Sequence, residues 1–306
     1  MTSTAPVAAP RYLDPLAPAP AGAYFARLLA VVREAAGADD SEPFVRTRHF
    51  SLHKAGRRVE LRHRLRPDQL DNDLAGLLAD ELFTPGWLSG AEVFEHAFTG
   101  LVKSTVDDPM RAWLCFYDNT LGRIRHCLRG GAADLPARSV IAGFAPVYEH
   151  ALRLTPPGRV LDLGSCFGFF ALLLTERGGN EVVASDVSAG AMQLLDAVAA
   201  HRGHPLETFV CDAARMPLPD SSVDTVTLLH LLEHLDADAG EEVVREATRL
   251  ARGPVVIAVP FEDEPAEAYG HVRVFDLPAL RRLGARSGRR FTVHEHHGGW
   301  LVLHPR

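Results

Sequence analysis

The stretch that decides the fold is RVLDLGSCFGFFALLL, residues 159–174. Its apolar beginning predicts a buried strand ending near Asp162, and the apolar run after Gly168 predicts a helix. Gly164 lets the chain turn tightly and point backbone N–H groups at a ligand. A strand, a glycine turn and a helix in this order favour a nucleotide-type cofactor site.

The central position of this turn is unusual. A dinucleotide-binding fold uses the spacing GxGxxG to bring a helix N-terminus onto a pyrophosphate, whereas this loop reads GxCxG. The loop therefore argues against a nicotinamide enzyme. A small side chain is acceptable at Cys166 if its φ is negative, but a positive φ would strain the loop and lower its affinity for a cofactor.

Strands and helices alternate through the second half of the chain. The predicted strands span residues 159–163, 181–186, 208–212, 223–229 and 254–260, and helices are predicted from Gly168, Ser188, Ala239 and Asp276. This alternation predicts a mostly parallel sheet with helices on both faces. FTVHEHH and WLVLHP flank Gly298–Gly299 without a helix, which predicts a closing antiparallel hairpin.

The first half is expected to form a smaller α+β domain. Residues 1–20, rich in alanine and proline, are typical of a disordered tail. A domain over 21–130 and a second over 131–306 meet at Gly130–Gly131. Within the first we predict a helix over 21–36, a β-hairpin over 44–65, a helix over 91–103 with Ser89 and Glu92 as its capping box, and a helix from Asp108 to about 129.

Composition narrows the class of protein. Of 306 residues, 47% are apolar and 23% are charged, as in soluble globular proteins. The net charge of −7 argues against nucleic acid as the main partner. The four cysteines form no CxxC, which indicates free thiols in a reducing cytosol. Since no signal-peptide core or membrane-length apolar run is present, we expect a cytoplasmic protein with no membrane partner.

Acidic residues follow successive strands of the predicted sheet. Such a sheet binds ligands beyond the carboxyl ends of its strands. Asp186 lies 24 residues after Asp162 and can accept hydrogen bonds from ribose hydroxyls, and Asp212 can accept from an adenine amine. Singly, such residues also fit a capping role. The predicted cofactor-binding residues are Asp162, Gly164, Ser165, Cys166, Gly168, Asp186, Val187, Asp212, Ala213 and His230.

The order DLGSCFG, then SD, then CDAARMPLPDSSVDTVTLLHLLEHL resembles class I S-adenosylmethionine-dependent methyltransferases over roughly residues 160–260. The resemblance implies a Rossmann-like sheet with S-adenosylmethionine as cofactor, which has no phosphate to cradle. It implies that Asp162 and Gly164 shape the pocket, that Asp186 holds the ribose and that Asp212 meets the adenine. The usual family loop is GxGxG, so Cys166 departs from it.

FYDNTLGRIR, FAPVYEHA, VLDLGSCFGFFALLL and GHVRVFD together look like the mycofactocin oligosaccharide methyltransferases of actinobacteria, over most of the chain. This resemblance implies O-methylation of a glucose in the sugar chain of the redox cofactor mycofactocin. Alternative functions are methylation of another small molecule, such as a quinone precursor or a secondary metabolite, and S-adenosylmethionine binding without turnover. RNA methylation through the basic hairpin is a further alternative.

Activation of a hydroxyl acceptor requires a base or a metal ion, because an alcohol is a poor nucleophile near neutral pH. His234, after the fourth strand, and His271, in the loop after the fifth, are the candidate catalytic bases. Alignment of the acceptor without a base is the alternative. A Mg²⁺ ion could also be held here by the two histidines together with Glu233, Glu262 and Glu264. The acidic run 262–264 fits a solvated loop better, so no metal site is predicted.

Two further groups remain open between a substrate-binding and a structural role. The hairpin 44–65 carries many arginines and a single acid, Glu60, and either contacts an anionic or polar substrate or is a solvated face. Trp87, Trp113, Phe116 and Tyr117 can stack on sugar rings, although helix-spaced aromatic residues are more often core.

Overall fold

The computed structural model of the chain describes residues 13–34, 42–204 and 206–305. The first half contains a five-stranded sheet, ordered β1-β2-β5-β4-β3. These strands are β1 (Ala23–Phe25), β2 (Leu29–Arg33), β3 (Val45–Arg46), β4 (Phe50–Ala55) and β5 (Arg58–His63). The antiparallel pairing of β4 with β5 confirms the predicted hairpin.

Four helices accompany this sheet: α1 (Asp73–Leu78), α2 (Ala91–Thr105), α3 (Pro109–Leu128) and α4 (Val140–Leu154). Helix α3 begins as predicted, with the Asp108 side chain accepting a hydrogen bond from the Arg111 backbone N–H. The capping box predicted at α2 is wrong. Gly90 occupies the cap with a φ of 92°, and no side-chain capping bond forms there.

The helix predicted over 21–36 is wrong, because the described part of this segment forms strands β1 and β2. Strand β2 pairs in parallel with β5, and Leu29, Ala30 and Val31 are buried. Partnering by a strand from a distant part of the chain outweighs a local helical pattern, since strand preference depends on the packing available.

Residues 1–12 of the predicted tail lie outside the described residues, whereas residues 13–20 lie against the protein. The Trp113 Nε1–H donates to the carbonyl oxygen of Pro15 at 3.0 Å, and Lys103 Nζ donates to the carbonyl oxygen of Asp14 at 3.4 Å. Pro15 is buried. This part of the segment therefore differs from the predicted disordered tail, because α2 and α3 supply it with hydrogen-bond partners.

The second half contains a seven-stranded sheet, ordered β8-β7-β6-β9-β10-β12-β11. The strands are β6 (Gly158–Leu163), β7 (Asn180–Asp186), β8 (Glu207–Val210), β9 (Thr225–Leu229), β10 (Val255–Val259), β11 (Phe291–Glu295) and β12 (Gly299–Leu303). Strands β6 to β10 are parallel, and β12 runs antiparallel to β10 and β11. The predicted mostly parallel sheet with a closing hairpin is confirmed.

The order of the strands locates a ligand crevice. The helices between them are α5 (Phe169–Arg177), α6 (Ala189–His201), α7 (Ala237–Leu250) and α8 (Leu277–Arg286). From β6, the chain proceeds to β7 and β8 on one side and then crosses to β9 and β10 on the other. The strand order reverses between β6 and β9, and α/β sheets bind ligands at the carboxyl ends of the strands at such a point.

The two halves share a hydrophobic core across the predicted boundary at Gly130–Gly131. One cluster of buried side chains includes β2, α2, α3 and α4 together with β6, α5 and α6. Trp113, Phe116 and Tyr117 are fully buried in it, as a core role predicts, whereas Trp87 is 51% exposed. No helix within the described residues has the length and apolar character needed to cross a membrane.

Candidate active site

The loop between β6 and α5 is tied to the end of β7. The backbone N–H groups of Gly164 and Ser165 both donate to the carbonyl oxygen of Ser185, at 2.8 and 2.9 Å. The Cys166 N–H donates to Asp186 Oδ2 at 2.9 Å. Cys166 has a φ of 50°, a left-handed conformation that costs a non-glycine residue about 1–2 kcal/mol. The hydrogen bond to Asp186 helps to hold this strained turn.

Both glycines of the loop have a φ of 70°, a conformation that favours glycine, and both pack closely against neighbouring side chains. A Cβ atom at Gly164 would lie 2.7 Å from Cδ1 of Leu231, which follows β9. A Cβ atom at Gly168 would overlap the Leu195 side chain of α6. The loop therefore packs between the end of β9 and α6, directly at the point where the strand order reverses.

Aromatic side chains of the first half lie beneath this loop. The ring centroid of Phe167 is 5.5 Å from that of Phe98 in α2 and 5.1 Å from that of Phe116 in α3. The Tyr117 hydroxyl donates to the carbonyl oxygen of Phe167 at 2.8 Å. Helices α2 and α3 thus support the cofactor loop directly, which no local sequence pattern indicates.

The end of β7 offers the surface that a nucleoside needs. Asp186 Oδ1 accepts from the Ser188 N–H at 2.9 Å, and the adjoining Val187 side chain is 78% exposed. The Cys211 N–H donates to the Asp186 carbonyl oxygen at 3.1 Å, which brings the exposed Asp212 next to this strand end. An exposed apolar side chain and two nearby carboxylates are the groups that an adenine, its amine and its ribose require, so these residues fit S-adenosylmethionine.

Residues 13–20 border the same region. A Cβ atom on Gly190, in the first turn of α6, would lie 2.6 Å from the carbonyl oxygen of Leu13. The segment therefore crosses the start of α6, close in sequence to Val187. In addition, the hydroxyl oxygen of Ser165 in the glycine loop is buried without a hydrogen-bond partner among the described residues. A polar ligand would satisfy this atom.

Asp162 is a buried carboxyl group at the end of β6. It is 3% exposed, and its Oδ1 accepts a hydrogen bond from the Thr227 hydroxyl of β9 at 2.6 Å. Burial raises the pKa of Asp162 to about 7, and the negative charge of Asp186 adds to this effect. Sequence reasoning missed Thr227, although a threonine within a buried strand beside Asp162 is a usable signal once the β6–β9 register is known.

The raised pKa of Asp162 predicts a pH-dependent stability. The folded carboxyl group binds a proton below about pH 7, whereas the unfolded one does so only below its ordinary pKa of 3.8. The Asp162 carboxyl group therefore adds to the free energy of unfolding as the pH falls through 7, and this contribution is lost as the pH rises. In the absence of ligand, we expect the free energy of unfolding of the wild-type protein to be about 1 kcal/mol higher at pH 6 than at pH 8, after the corresponding change for Asp162→Asn is subtracted. Urea unfolding of both proteins at both pH values measures this, and equal pH dependences would refute it.

The segment after β9 begins with a strained histidine. His230 has a φ of 57°, and its ring centroid lies 4.7 Å from that of Phe144 in α4. His230 Nδ1 is 3.2 Å from Glu233 Oε1, and its Nε2 is buried without a hydrogen-bond partner. Leu231, the next residue, lies close to Gly164, so this segment is next to the glycine loop. No sequence signal singled out Phe144 as a partner of this histidine.

The two candidate bases lie together at the mouth of this crevice. The ring centroids of His234 and His271 are 4.8 Å apart, with the rings nearly perpendicular. His271 Nδ1 is 2.8 Å from Glu262 Oε2, and His234 Nδ1 is 3.3 Å from the Gly270 carbonyl oxygen. Desolvation of the ring lowers the pKa of His234, Glu233 opposes this effect and His271 adds to it, so the neutral imidazole is favoured.

Comparisons with known proteins relate the second half of the chain to methyltransferases. Residues 161–257 match the family described as "Methyltransferase domain". The chain is 31% identical over 179 residues to the ubiquinone/menaquinone biosynthesis C-methyltransferase UbiE of Xanthomonas axonopodis pv. citri, covering 56% of this chain and 70% of that protein. It is 32% identical over 164 residues to UbiE of Xanthomonas oryzae pv. oryzae, covering 50% of this chain but only 64% of that relative.

A solved structure is also similar to part of the chain. It is a SAM-dependent methyltransferase from Aquifex aeolicus, 20% identical in sequence with a TM-score of 0.45, and the match covers 60% of this chain and 96% of that one.

Proposed function

The chain belongs to the class I S-adenosylmethionine-dependent methyltransferases, and we propose that it methylates a hydroxyl oxygen of a sugar in an oligosaccharide of the mycofactocin type. Methyl transfer as the activity and S-adenosylmethionine as the cofactor follow from the family. The sugar acceptor is supported by the chemistry of the histidine pair, by nearby exposed aromatic rings and by the sequence resemblance described above.

The observation that carries the proposal is the arrangement Glu262–His271–His234. S-adenosylmethionine, when bound, supplies an electrophilic methyl group on a sulfonium sulfur. The contact between His271 Nδ1 and Glu262 orients the ring and leaves Nε2 free to accept a hydroxyl proton. His234, neutral and 4.8 Å away between centroids, offers a second acceptor. A carboxylate that orients a histidine is a recurrent device for activating an alcohol.

Aromatic surface beside this pair fits a sugar. Tyr269 is 41% exposed, and its ring centroid is 6.1 Å from that of His271. It also packs edge-on against Phe94 of α2, at 6.3 Å between centroids. An exposed aromatic ring with a polar neighbour suits the apolar face and the hydroxyl rim of a pyranose. We propose that the first half of the chain, through α2, helps to cover and select the acceptor.

A second candidate is C-methylation of a quinone precursor. The UbiE relatives favour it, because their names assign that reaction to them. It predicts a small aromatic acceptor and no label on carbohydrate.

The deciding experiment supplies S-adenosylmethionine with an isotope-labelled methyl group to the purified protein, together with a small-molecule extract of an actinobacterium. Mass spectrometry before and after glucosidase digestion follows the label, and excess S-adenosylhomocysteine serves as the control. Label on a glucosidase-sensitive oligosaccharide is the expected result. Label on a quinone precursor or another small molecule, or no label in a protein that still binds S-adenosylhomocysteine, contradicts the sugar acceptor.

A further inference from the structure

We propose that Glu233, His234 and His271 bind a divalent transition-metal ion beside the cofactor crevice. Each of these residues offers one ligand atom, and the three atoms lie within 4.8 Å of one another. The inference rests on the proposed function, because the ion would lie where the acceptor hydroxyl is activated. It changes the role of the two histidines from proton acceptors to ligands of the ion.

The Glu233 carboxylate supplies the strongest argument. Its side chain is 0% exposed, and neither of its oxygens has a hydrogen-bond partner among the described residues. Neighbouring groups that can carry positive charge include His230, with Nδ1 at 3.2 Å, Arg273, and the proposed ligand His234. Since a buried carboxylate without hydrogen bonds is costly, the site calls for a further positive partner.

The surroundings of both histidines fit ligation. A metal-binding histidine ordinarily gives its second ring nitrogen to a carboxylate or a backbone carbonyl group, which fixes its tautomer and orientation. Here His271 Nδ1 contacts Glu262, and His234 Nδ1 contacts the Gly270 carbonyl oxygen. Both rings are thus left with Nε2 as the free donor. The two loops are joined by a hydrogen bond from the Val272 N–H to the Glu233 carbonyl oxygen at 2.9 Å.

The donor set selects the kind of ion. Two imidazole nitrogens and one carboxylate suit Mn²⁺, Fe²⁺, Co²⁺ or Zn²⁺, whereas Mg²⁺ prefers oxygen ligands. The Mg²⁺ alternative considered from the sequence is therefore disfavoured. Three protein ligands leave coordination positions open for water and the acceptor hydroxyl. An ion there would acidify that hydroxyl, whose proton would pass to solvent water.

The test is titration of tag-free, chelator-treated protein with Co²⁺, followed by calorimetry and by visible absorption. We expect one ion per chain. Glu233→Gln and His271→Gln should each weaken Co²⁺ binding at least about 10-fold, with Mg²⁺ giving no comparable heat. His234 is the most exposed of the three residues, so His234→Gln provides a third variant with little risk to folding, and thermal melting establishes that each variant is folded.

A matched control addresses the other histidine cluster. His150 Nε2 lies 2.7 Å from His294 Nε2 at the sheet edge, so His294→Gln removes a competing site and should leave Co²⁺ binding unchanged. The proposal is overturned if the folded Glu233, His234 and His271 variants bind Co²⁺ like wild type, or if only His294→Gln loses it. Binding without sugar methylation would refute the proposed acceptor alone. Full sugar methylation in chelator, without Co²⁺ binding, would refute the metal site alone.

Discussion

Asp186→Ala should lower the affinity for S-adenosylhomocysteine at least about 100-fold, a loss near 3 kcal/mol. The reason is that Asp186 makes two structural hydrogen bonds in addition to the ribose contact that we propose for it. One oxygen accepts from Cys166 N–H in the strained loop, and the other accepts from Ser188 N–H at the start of α6. Each bond to a charged group contributes about 1.5–3 kcal/mol, so losing both disorganises the site.

Isothermal calorimetry with S-adenosylhomocysteine measures this effect. Asp212→Ala should cost only about 10-fold, because Asp212 caps Ala214 N–H but does not hold the glycine loop. Asp220→Ala is the matched control, since that exposed carboxylate pairs with Arg249 away from the loop. An Asp186→Ala protein that binds within threefold of wild type would remove Asp186 from the cofactor site.

The centre of the second sheet was predictable because β6, β9 and β10 each contain a short, buried apolar run, and helical patterns separate most of the parallel strands. The rule that parallel strands bring their carboxyl ends to one edge then brings Asp162, Asp186 and Asp212 together without any knowledge of packing. The same rule predicts that the loops carrying His234 and His271 meet, and their rings do lie in contact. The order of the strands and loops along the sequence is sufficient to predict these neighbours.

The first half was less predictable because long-range pairing decides its structure. Strand β2 forms because β5, about 30 residues later, pairs with it in parallel, and α2 packs closely against Val31. Nothing local in 21–36 signals that partner, so the helical pattern misled. Likewise, residues 13–20 are held by Trp113 and Lys103, which lie far along the chain.

The finer electrostatics of the site also required the fold. The complete burial of Glu233 and the raised pKa of Asp162 depend on which side chains surround them. The sign of φ at Cys166 was left conditional by the sequence, and it is positive. Hydrogen bonds from the loop to Ser185 and Asp186 offset part of the resulting strain.

His271→Ala should reduce kcat for the sugar acceptor by about 10²–10⁴-fold while leaving the affinity for S-adenosylhomocysteine within threefold of wild type. The separation is expected because the His271 side chain contacts those of Glu262, His234 and Tyr269, whereas we propose that the cofactor lies on the 164–168 loop. Removal of the ring deletes the proton acceptor or the ion ligand, and both roles act on the acceptor. Single-turnover rates with the labelled oligosaccharide and calorimetry on the same samples measure the two quantities.

Glu262→Gln tests whether Glu262 acts through the ring of His271. An amide keeps the shape of the partner but removes the charge that favours an imidazole with a protonated Nδ1. We therefore expect an intermediate loss, about 10-fold, with the double variant Glu262→Gln/His271→Ala no slower than His271→Ala alone, because Glu262 acts only through the histidine. His126→Ala, which removes an exposed histidine paired with Asp134, is the control for loss of an unrelated ring. Additive losses in the double variant would show that Glu262 acts on the substrate independently of His271. A wild-type rate for His271→Ala would show that His271 is not needed, and would leave His234, or alignment of the acceptor alone, to account for the reaction.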